Sequence, residues 1–116
     1  MNVRIEVVGE ITVVKPEGRL DFDAAAGFQQ SLERLFAGQS PAALIIDGSA
    51  LEYVSSAGLR AVLLAAKAAQ RAGTPFALCA LQPAVREVFD LSGFSQIMAI
   101  HPDLETARAQ LRTTRK

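Results

Sequence analysis

The sequence contains no tryptophan and one tyrosine, and aromatic residues make up only 6% of its 116 positions. Twelve basic and twelve acidic residues give a net charge of zero. A nucleic-acid-binding domain normally needs a concentrated basic surface and aromatic side chains on which bases stack. The composition therefore excludes nucleic acid from the expected partners.

Cysteine and histidine occur once each. Cys79 has no partner for an internal disulfide, and its apolar neighbours favour a small buried side chain over a reactive thiol. His101 has no second histidine and no cysteine cluster with which to hold a transition metal. We therefore expect no metal and no cofactor, and we interpret the lone histidine as structural.

Long apolar runs are also missing. The longest strongly apolar stretch, residues 61–66, ends at Lys67, far short of the roughly 20 residues that span a bilayer. The N-terminus alternates apolar and charged residues where a signal peptide needs a continuous apolar run. We expect a cytoplasmic protein that does not insert directly into a membrane.

Half of the residues are hydrophobic and 21% are charged, which is typical of a compact folded domain. The length allows one hydrophobic core and is too short for two. We expect a single domain over residues 1–112, followed by a frayed basic C-terminus at residues 113–116.

The apolar patterns predict an α/β fold. Helical and strand patterns alternate after an N-terminal hairpin, which indicates a mixed, partly parallel sheet of four to five strands with about four helices. The continuous apolar run 42–46 suits a central strand that is buried on both faces. The remaining predicted elements are a hairpin within 5–14, a helix that Asp21 or Asp23 caps and Gly38 closes, a helix from Ser55 or Ser56 to about residue 72, strands at 76–80 and 97–100, a short helix from Pro83, and a helix after Pro102.

Two adjacent serines, Ser55 and Ser56, open the second predicted helix. The start of a helix has unpaired N–H groups and a partial positive charge, so a hydroxyl there lies near a position that favours a phosphate. Serine is also a common N-cap, and the two interpretations are compatible. Asp21 and Asp47 follow predicted strands, and we expect both near the serines because sites gather at the carboxyl ends of parallel strands.

The second predicted helix has three faces. One face is apolar and should cover the sheet, and the opposite face is basic. Between them runs a stripe of alanines, which either packs beside a neighbouring helix or forms a smooth surface for a partner. The apolar face contains Leu59, Val62, Leu63, Ala66 and Ala69; the basic face contains Arg60, Lys67 and Arg71; and the stripe contains Ala57, Ala61, Ala65, Ala68 and Ala72, with Leu64 at its border with the basic face.

We expect no catalytic residue in this chain. Ser56 lacks the Gly-x-Ser-x-Gly setting of a nucleophile elbow, and only His101 is available to complete a triad. Asp47 and Glu52 flank a polar turn and are interpreted as loop residues. Tyr53 and the valine after it are interpreted as a packed hydrophobic anchor at the helix entry.

Three segments together resemble the STAS family, specifically the small anti-sigma factor antagonists of bacteria. Their order and spacing span the domain, and Gly73-Thr74-Pro75-Phe76 follows them before the next predicted strand. The segments are Gly18-Arg19-Leu20-Asp21, Leu44-Ile45-Ile46-Asp47-Gly48-Ser49 and Tyr53-Val54-Ser55-Ser56-Ala57-Gly58-Leu59-Arg60.

The resemblance implies a partner switch that phosphorylation controls. In this family the unmodified antagonist binds an anti-sigma factor, commonly a serine kinase; phosphorylation by that kinase breaks the complex and a serine phosphatase resets it. Ser56 aligns with the phosphorylated serine. Many members have aspartate before that serine and a second hydroxyl after it, where this chain has Ser55 and Ala57, so Ser55 is the alternative acceptor.

The resemblance also implies a partner-binding surface around the switch. A second hypothesis is a constitutive STAS subunit of a lipid-transporting ABC system, in which the same helix docks permanently and needs no phosphate. The surface implied by the resemblance comprises Asp21, Asp47, Ser55, Ser56, Ala57, Gly58, Leu59, Arg60, Ala61 and Leu64.

Overall fold

The computed structural model describes residues 1–114 of the chain, with side chains for residues 1–112. Within that range it contains six strands, four α-helices and one short 3-10 helix. The elements are β1 (Asn2–Val8), β2 (Ile11–Leu20), α1 (Phe22–Ala37), β3 (Ala43–Asp47), β4 (Leu51–Val54), α2 (Ser56–Ala72), β5 (Phe76–Cys79), α3 (Pro83–Leu91), the 3-10 helix (Phe94–Gln96), β6 (Ile100–His101) and α4 (Leu104–Thr114).

The sheet is mixed, with the strand order β1-β2-β3-β5-β6. β1 and β2 form an antiparallel hairpin, and the other pairs are parallel. β2 is long enough to pair twice on the same side: residues 11–14 pair with β3, and residues 18–20 pair with β4. This second pairing positions the segment that leads into α2.

Side chains alternate across the sheet and build two apolar layers. On β3, Leu44 and Ile46 belong to the larger core beneath α1, α2 and α3, whereas Ala43 and Ile45 belong to a smaller core beneath α4. Every residue of β3 is buried. The expectation of a central strand covered on both faces is therefore confirmed, as is the α/β class with about four helices.

The sheet has six strands rather than four to five, because residues 51–54 pair with β2 instead of forming only a loop. β2 also continues past residue 14, where the predicted hairpin ends, as far as Leu20. Proline cannot donate to a ladder, but β1 continues to pair alongside it, with Val3 opposite Pro16.

The last strand was predicted in the wrong place. Residues 97–100 were expected to form it, but residues 94–96 make a 3-10 turn, Ile97 is exposed, and β6 contains only Ile100 and His101. Helix α4 reaches Thr114, so the predicted frayed C-terminus begins inside a helix, and its last two residues lie outside the described part of the chain.

Candidate functional site

Ser55 is the N-cap of α2 and joins that helix to the end of β2. Its Oγ accepts a hydrogen bond from the Gly58 N–H at 3.1 Å and donates one to the Leu20 carbonyl at 3.1 Å. Its own N–H donates to the same carbonyl at 2.9 Å. The N–H and the hydroxyl of Ser55 therefore both hold the start of α2 against β2.

Ser56 is the first residue of α2 and is exposed. Its Oγ has no hydrogen-bond partner among the side chains and backbone groups of residues 1–112. The two neighbouring hydroxyls thus differ: the one at Ser55 is tied into the fold, and the one at Ser56 faces solvent.

Gly58 allows α2 to approach the end of β2 closely. A Cβ at this position would lie 2.7 Å from Cγ of Leu20 and 2.8 Å from its carbonyl oxygen. Both distances are shorter than real carbon contacts allow. The glycine is therefore required by the packing of the first turn of α2.

Asp21 lies directly after β2 and is the N-cap of α1, which settles the choice between it and Asp23. Its Oδ1 accepts a hydrogen bond from the Ala24 N–H at 2.9 Å. Because Ser55 bonds to Leu20, the starts of α1 and α2 lie side by side at this edge of the sheet. Asp21 is half-buried, so part of its carboxylate remains accessible there.

Asp47 is buried, with 7% of its surface exposed. Its Oδ1 accepts a hydrogen bond from the Ser49 N–H at 2.9 Å, and the next residue, Gly48, donates its N–H to the Cys79 carbonyl at 2.9 Å. The carboxylate therefore stabilises the turn between β3 and β4. It lies beneath the predicted partner surface rather than on it.

Helix α2 buries more of its surface than the predicted apolar face. Leu59 of that face is 9% exposed, and Ala61 and Ala65 of the alanine stripe are buried as well. Ala61, Leu64 and Ala65 line the groove that α2 shares with Leu32 and Phe36 of α1. Ala61 and Ala65 of the stripe are thus used for helix packing, and Ala61, at 1% exposed, offers a partner almost no surface.

Two aromatic side chains are exposed that the sequence pattern did not mark as surface residues. Phe22, directly after the cap of α1, is 77% exposed, and Tyr53 is 40% exposed rather than packed as an anchor. The Arg19 guanidinium lies 4.2 Å from the centre of the Tyr53 ring. Phe22 is three residues before Ala25, which is itself a helical spacing, so the apolar pattern gave no signal that Phe22 would be exposed.

The remaining candidate reactive groups lie away from the serines. His101 lies on β6, three strand spacings from β2, or about 14 Å at about 4.8 Å per spacing. The Cys79 thiol is buried, and its burial together with the nearby carboxylates of Asp47 and Asp103 raises its pKa to about 12. Neither group makes a hydrogen bond to the hydroxyl of Ser55 or Ser56 within the described structure.

Two further features of residues 1–114 concern membranes and metal ions. No helix there has the length and apolar character needed to cross a bilayer. No group of three or more histidine, cysteine, aspartate or glutamate side chains in the same range is arranged to hold a metal ion.

These features define a class: a small mixed α/β domain in which a serine pair at a helix start, one engaged and one exposed, is the most distinctive site. The family follows from a comparison with known proteins. The STAS domain model matches residues 2–107, so the chain belongs to the STAS domain family.

Similar proteins agree with this assignment. The chain is 44% identical over 70 residues to BtrV of Bordetella bronchiseptica, named an anti-sigma factor antagonist; that match spans 60% of each chain. It is 24% identical over 113 residues to the anti-sigma F factor antagonist of Paenibacillus polymyxa, covering 96% of this chain and 97% of the relative. The crystal structure of an anti-sigma factor antagonist from Mycobacterium paratuberculosis matches with a TM-score of 0.85 and 30% identity, over 96% of this chain and 93% of that one.

Proposed function

We propose that this protein is an anti-sigma factor antagonist whose binding to an anti-sigma factor is switched by phosphorylation of Ser56. The observation that carries the proposal is the contrast between the two serines. The Ser56 Oγ is exposed and unbonded within the described structure, whereas the Ser55 Oγ makes two hydrogen bonds that hold α2 in place. A kinase can reach the first hydroxyl without disturbing the fold.

A phosphate at Ser56 suits the first turn of a helix. It adds about −1.5 to −2 charges, which the partial positive charge at a helix start tolerates. The same charge would lie in a contact that was neutral before modification. It would weaken that contact through desolvation and through repulsion of any carboxylate that the partner places there.

The surroundings of Ser56 support protein binding rather than catalysis. Phe22 and Tyr53 expose aromatic surface at the same edge of the sheet, and aromatic residues are enriched at protein interfaces. Under this proposal Ser56 is a substrate of a partner kinase, and a serine phosphatase removes the phosphate. The protein then acts in the cytoplasm, where sigma factors meet RNA polymerase.

The names of similar proteins support the same proposal. The relatives from Bordetella bronchiseptica and Paenibacillus polymyxa are both named as anti-sigma factor antagonists, and so is the structural match from Mycobacterium paratuberculosis. The accessible part of the proposed partner surface comprises Asp21, Phe22, Tyr53, Ser56, Ala57, Arg60 and Leu64.

The test uses the candidate anti-sigma factor kinase encoded nearest to this gene. The wild-type chain is incubated with that kinase and ATP, and its intact mass is measured. We expect one added phosphate, loss of that phosphate in Ser56→Ala, and weaker binding of the phosphorylated chain to the kinase.

Ser55→Ala is the matched control. It should still accept phosphate but should lose about 1 kcal/mol of stability with its cap, whereas Ser56→Ala should be as stable as the wild type. Phosphate that persists in Ser56→Ala would disprove the assignment of the acceptor. Stable binding to a transporter subunit, with no phosphorylation, would favour the constitutive ABC subunit instead.

A further inference from the structure

Helix α2 carries a row of positive charges on its solvent face. We call Arg60, Lys67 and Arg71 the basic row. At 100° per residue, Ser56 and these three residues lie within about 60° of arc, so they form one line along the helix. All four are exposed, and α2 contains no acidic residue.

The basic row has no ion-pair partner among the side chains of residues 1–112. The neighbouring helix α1 brings Glu33 to the groove that Arg71 also lines, but Glu33 accepts a hydrogen bond from Gln29 at 3.1 Å. The row is therefore a local surplus of positive charge on a chain with no net charge.

Ser56 and Arg60 are four residues apart, so their side chains are neighbours on the helix surface. In such pairs the anionic residue is favoured on the N-terminal side, which is the order here. A guanidinium can donate two parallel hydrogen bonds to phosphate oxygens. No other residue of the basic row lies within one turn of Ser56.

We propose that Arg60 is the side chain that pairs with a phosphate on Ser56. While Ser56 is unmodified, the guanidinium is free to pair with a carboxylate of the partner. When Ser56 is phosphorylated, the guanidinium pairs with the phosphate instead. The inference rests on the proposed function, in which Ser56 is the acceptor.

The pairing of Arg60 with the phosphate has a consequence for the charge of the partner's surface. Besides its desolvation, a phosphate can weaken binding in two ways: it can meet negative charge, or it can remove a positive charge that the partner needs. A partner that places acidic side chains along α2 satisfies both conditions, because the phosphate repels them and also occupies Arg60. We therefore infer an acidic docking segment on the partner.

The test needs neither kinase nor partner. Phosphoserine is incorporated at position 56 during translation, and the second pKa of its phosphate, near 6 when free, is measured by phosphorus NMR. We expect this pKa to be lower in the wild-type background than in Arg60→Gln, by about 0.3 unit for an i,i+4 pair.

Arg71→Gln is the matched control, because it removes the same charge from the same row at a distance of about 22 Å along the helix from Ser56. It should leave the phosphate pKa unchanged. The other charged groups near the start of α2, namely Arg19 on β2, Asp21 and Asp23 on α1, and Glu52 on β4, are the same in all samples.

Equal phosphate pKa values in the wild-type and Arg60→Gln backgrounds would overturn the inference, as would an equal shift in Arg71→Gln. Circular dichroism checks that the exposed substitutions leave the fold intact. Because the phosphate is installed during translation, this result does not depend on whether a kinase modifies Ser56. Failure of the proposed function and failure of this inference are therefore distinguishable.

Discussion

At the residue scale, a single carbonyl organises the start of α2. The Leu20 oxygen accepts hydrogen bonds from the N–H and the hydroxyl of Ser55, and Gly58 packs directly against it. Leu20 is itself buried and paired with Val54 of β4. The position of Ser56 therefore depends on a rigid end of β2, not on a flexible loop.

The first prediction concerns Gly58→Ala. The new Cβ would lie 2.8 Å from the Leu20 carbonyl oxygen, which is backbone and held in place. We expect a loss of about 2 kcal/mol in the free energy of unfolding, measured in urea. Gly27→Ala is the control: it lies in α1 with nothing within 4 Å of the new Cβ, and it should gain about 0.5 kcal/mol. Equal stability of the two variants would contradict the close packing described above.

The second prediction concerns the buried thiol of Cys79. Its pKa is raised from 9.0 to about 12 in the folded state, so above pH 9 the unfolded chain loses a proton that the folded chain retains. The contribution of this thiol to the free energy of unfolding is fully present below pH 9. It falls as the pH rises from 9 towards 12, by about 1 kcal/mol between pH 8 and pH 10. Urea unfolding at both pH values measures the decline. In Cys79→Ala the decline should be smaller; an identical decline would assign the effect to other groups.

At the element scale, α1 and α2 pack together through small side chains. The buried Ala61 and Ala65 allow α2 to approach Leu32 and Phe36 of α1. Of the two uses that the alanine stripe suggested, packing beside a helix is the one observed along this part of α2. The part of α2 that remains for a partner is narrower than the predicted partner surface. It runs from Ser56 along the basic row.

The third prediction tests this packing. Ala65→Leu adds three carbons at a position that is 4% exposed, and overpacking of this kind costs about 1–3 kcal/mol. Thermal unfolding should show a clearly lower midpoint. Ala72→Leu, at the exposed last residue of the same helix, should leave the midpoint nearly unchanged. A stable Ala65→Leu variant would mean that the groove between the helices can widen.

Strand β4 is the element that sequence reasoning failed to identify. Leu51 and Val54 are buried while Glu52 and Tyr53 are exposed, which breaks the strict alternation that marks a strand. The ladder is also irregular where it begins, between Gly18 and Arg19. A four-residue strand of this kind is defined by its partner β2, and its own sequence contains little signal.

At the scale of the whole molecule, charge is distributed unevenly despite a net charge of zero. The basic row has no ion pair within the described side chains, whereas other charges form local pairs such as Arg4 with Glu17 at 2.9 Å and Arg86 with Asp90 at 3.0 Å. The hydrogen bonds that Asp90 accepts from Ser95 and Arg86 lower its pKa. Helix α2 thus offers a partner three exposed positive charges, unpaired within the described side chains, and no negative one.

The fourth prediction follows from this distribution. Under the proposed function, binding of the unphosphorylated chain to the anti-sigma factor kinase should weaken as salt rises, because exposed charges are screened over about 10 Å at 0.1 M. Arg60→Gln should weaken binding about two- to fivefold at low salt, as expected for an exposed ion pair. Isothermal titration calorimetry at two salt concentrations measures both effects.

Arg112→Gln provides the control for net charge, because α4 covers the opposite face of the sheet from α2 and Arg112 is exposed there. It should bind the kinase as the wild type does. If Arg112→Gln weakened binding as much as Arg60→Gln, the attraction would depend on total charge and not on the basic row.

The sequence by itself determined the class of fold and the central strand, and it narrowed the cap of α1 to Asp21 or Asp23 and the start of α2 to Ser55 or Ser56. These features depend on hydrophobic periodicity and on local capping chemistry, which act over a few neighbouring residues. The ends of both helices were likewise predicted from Gly38 and Gly73, and both residues are the C-caps.

Only the tertiary structure decided which serine is free. That distinction depends on the Leu20 carbonyl, which lies 35 residues from Ser55 in the chain and reaches it through the pairing of β2 with β4. The same holds for Asp47 and Ala61, which the packing buries, and for Phe22, which it leaves exposed. Such contacts join residues that are distant in sequence, so the pattern of neighbouring residues cannot predict them.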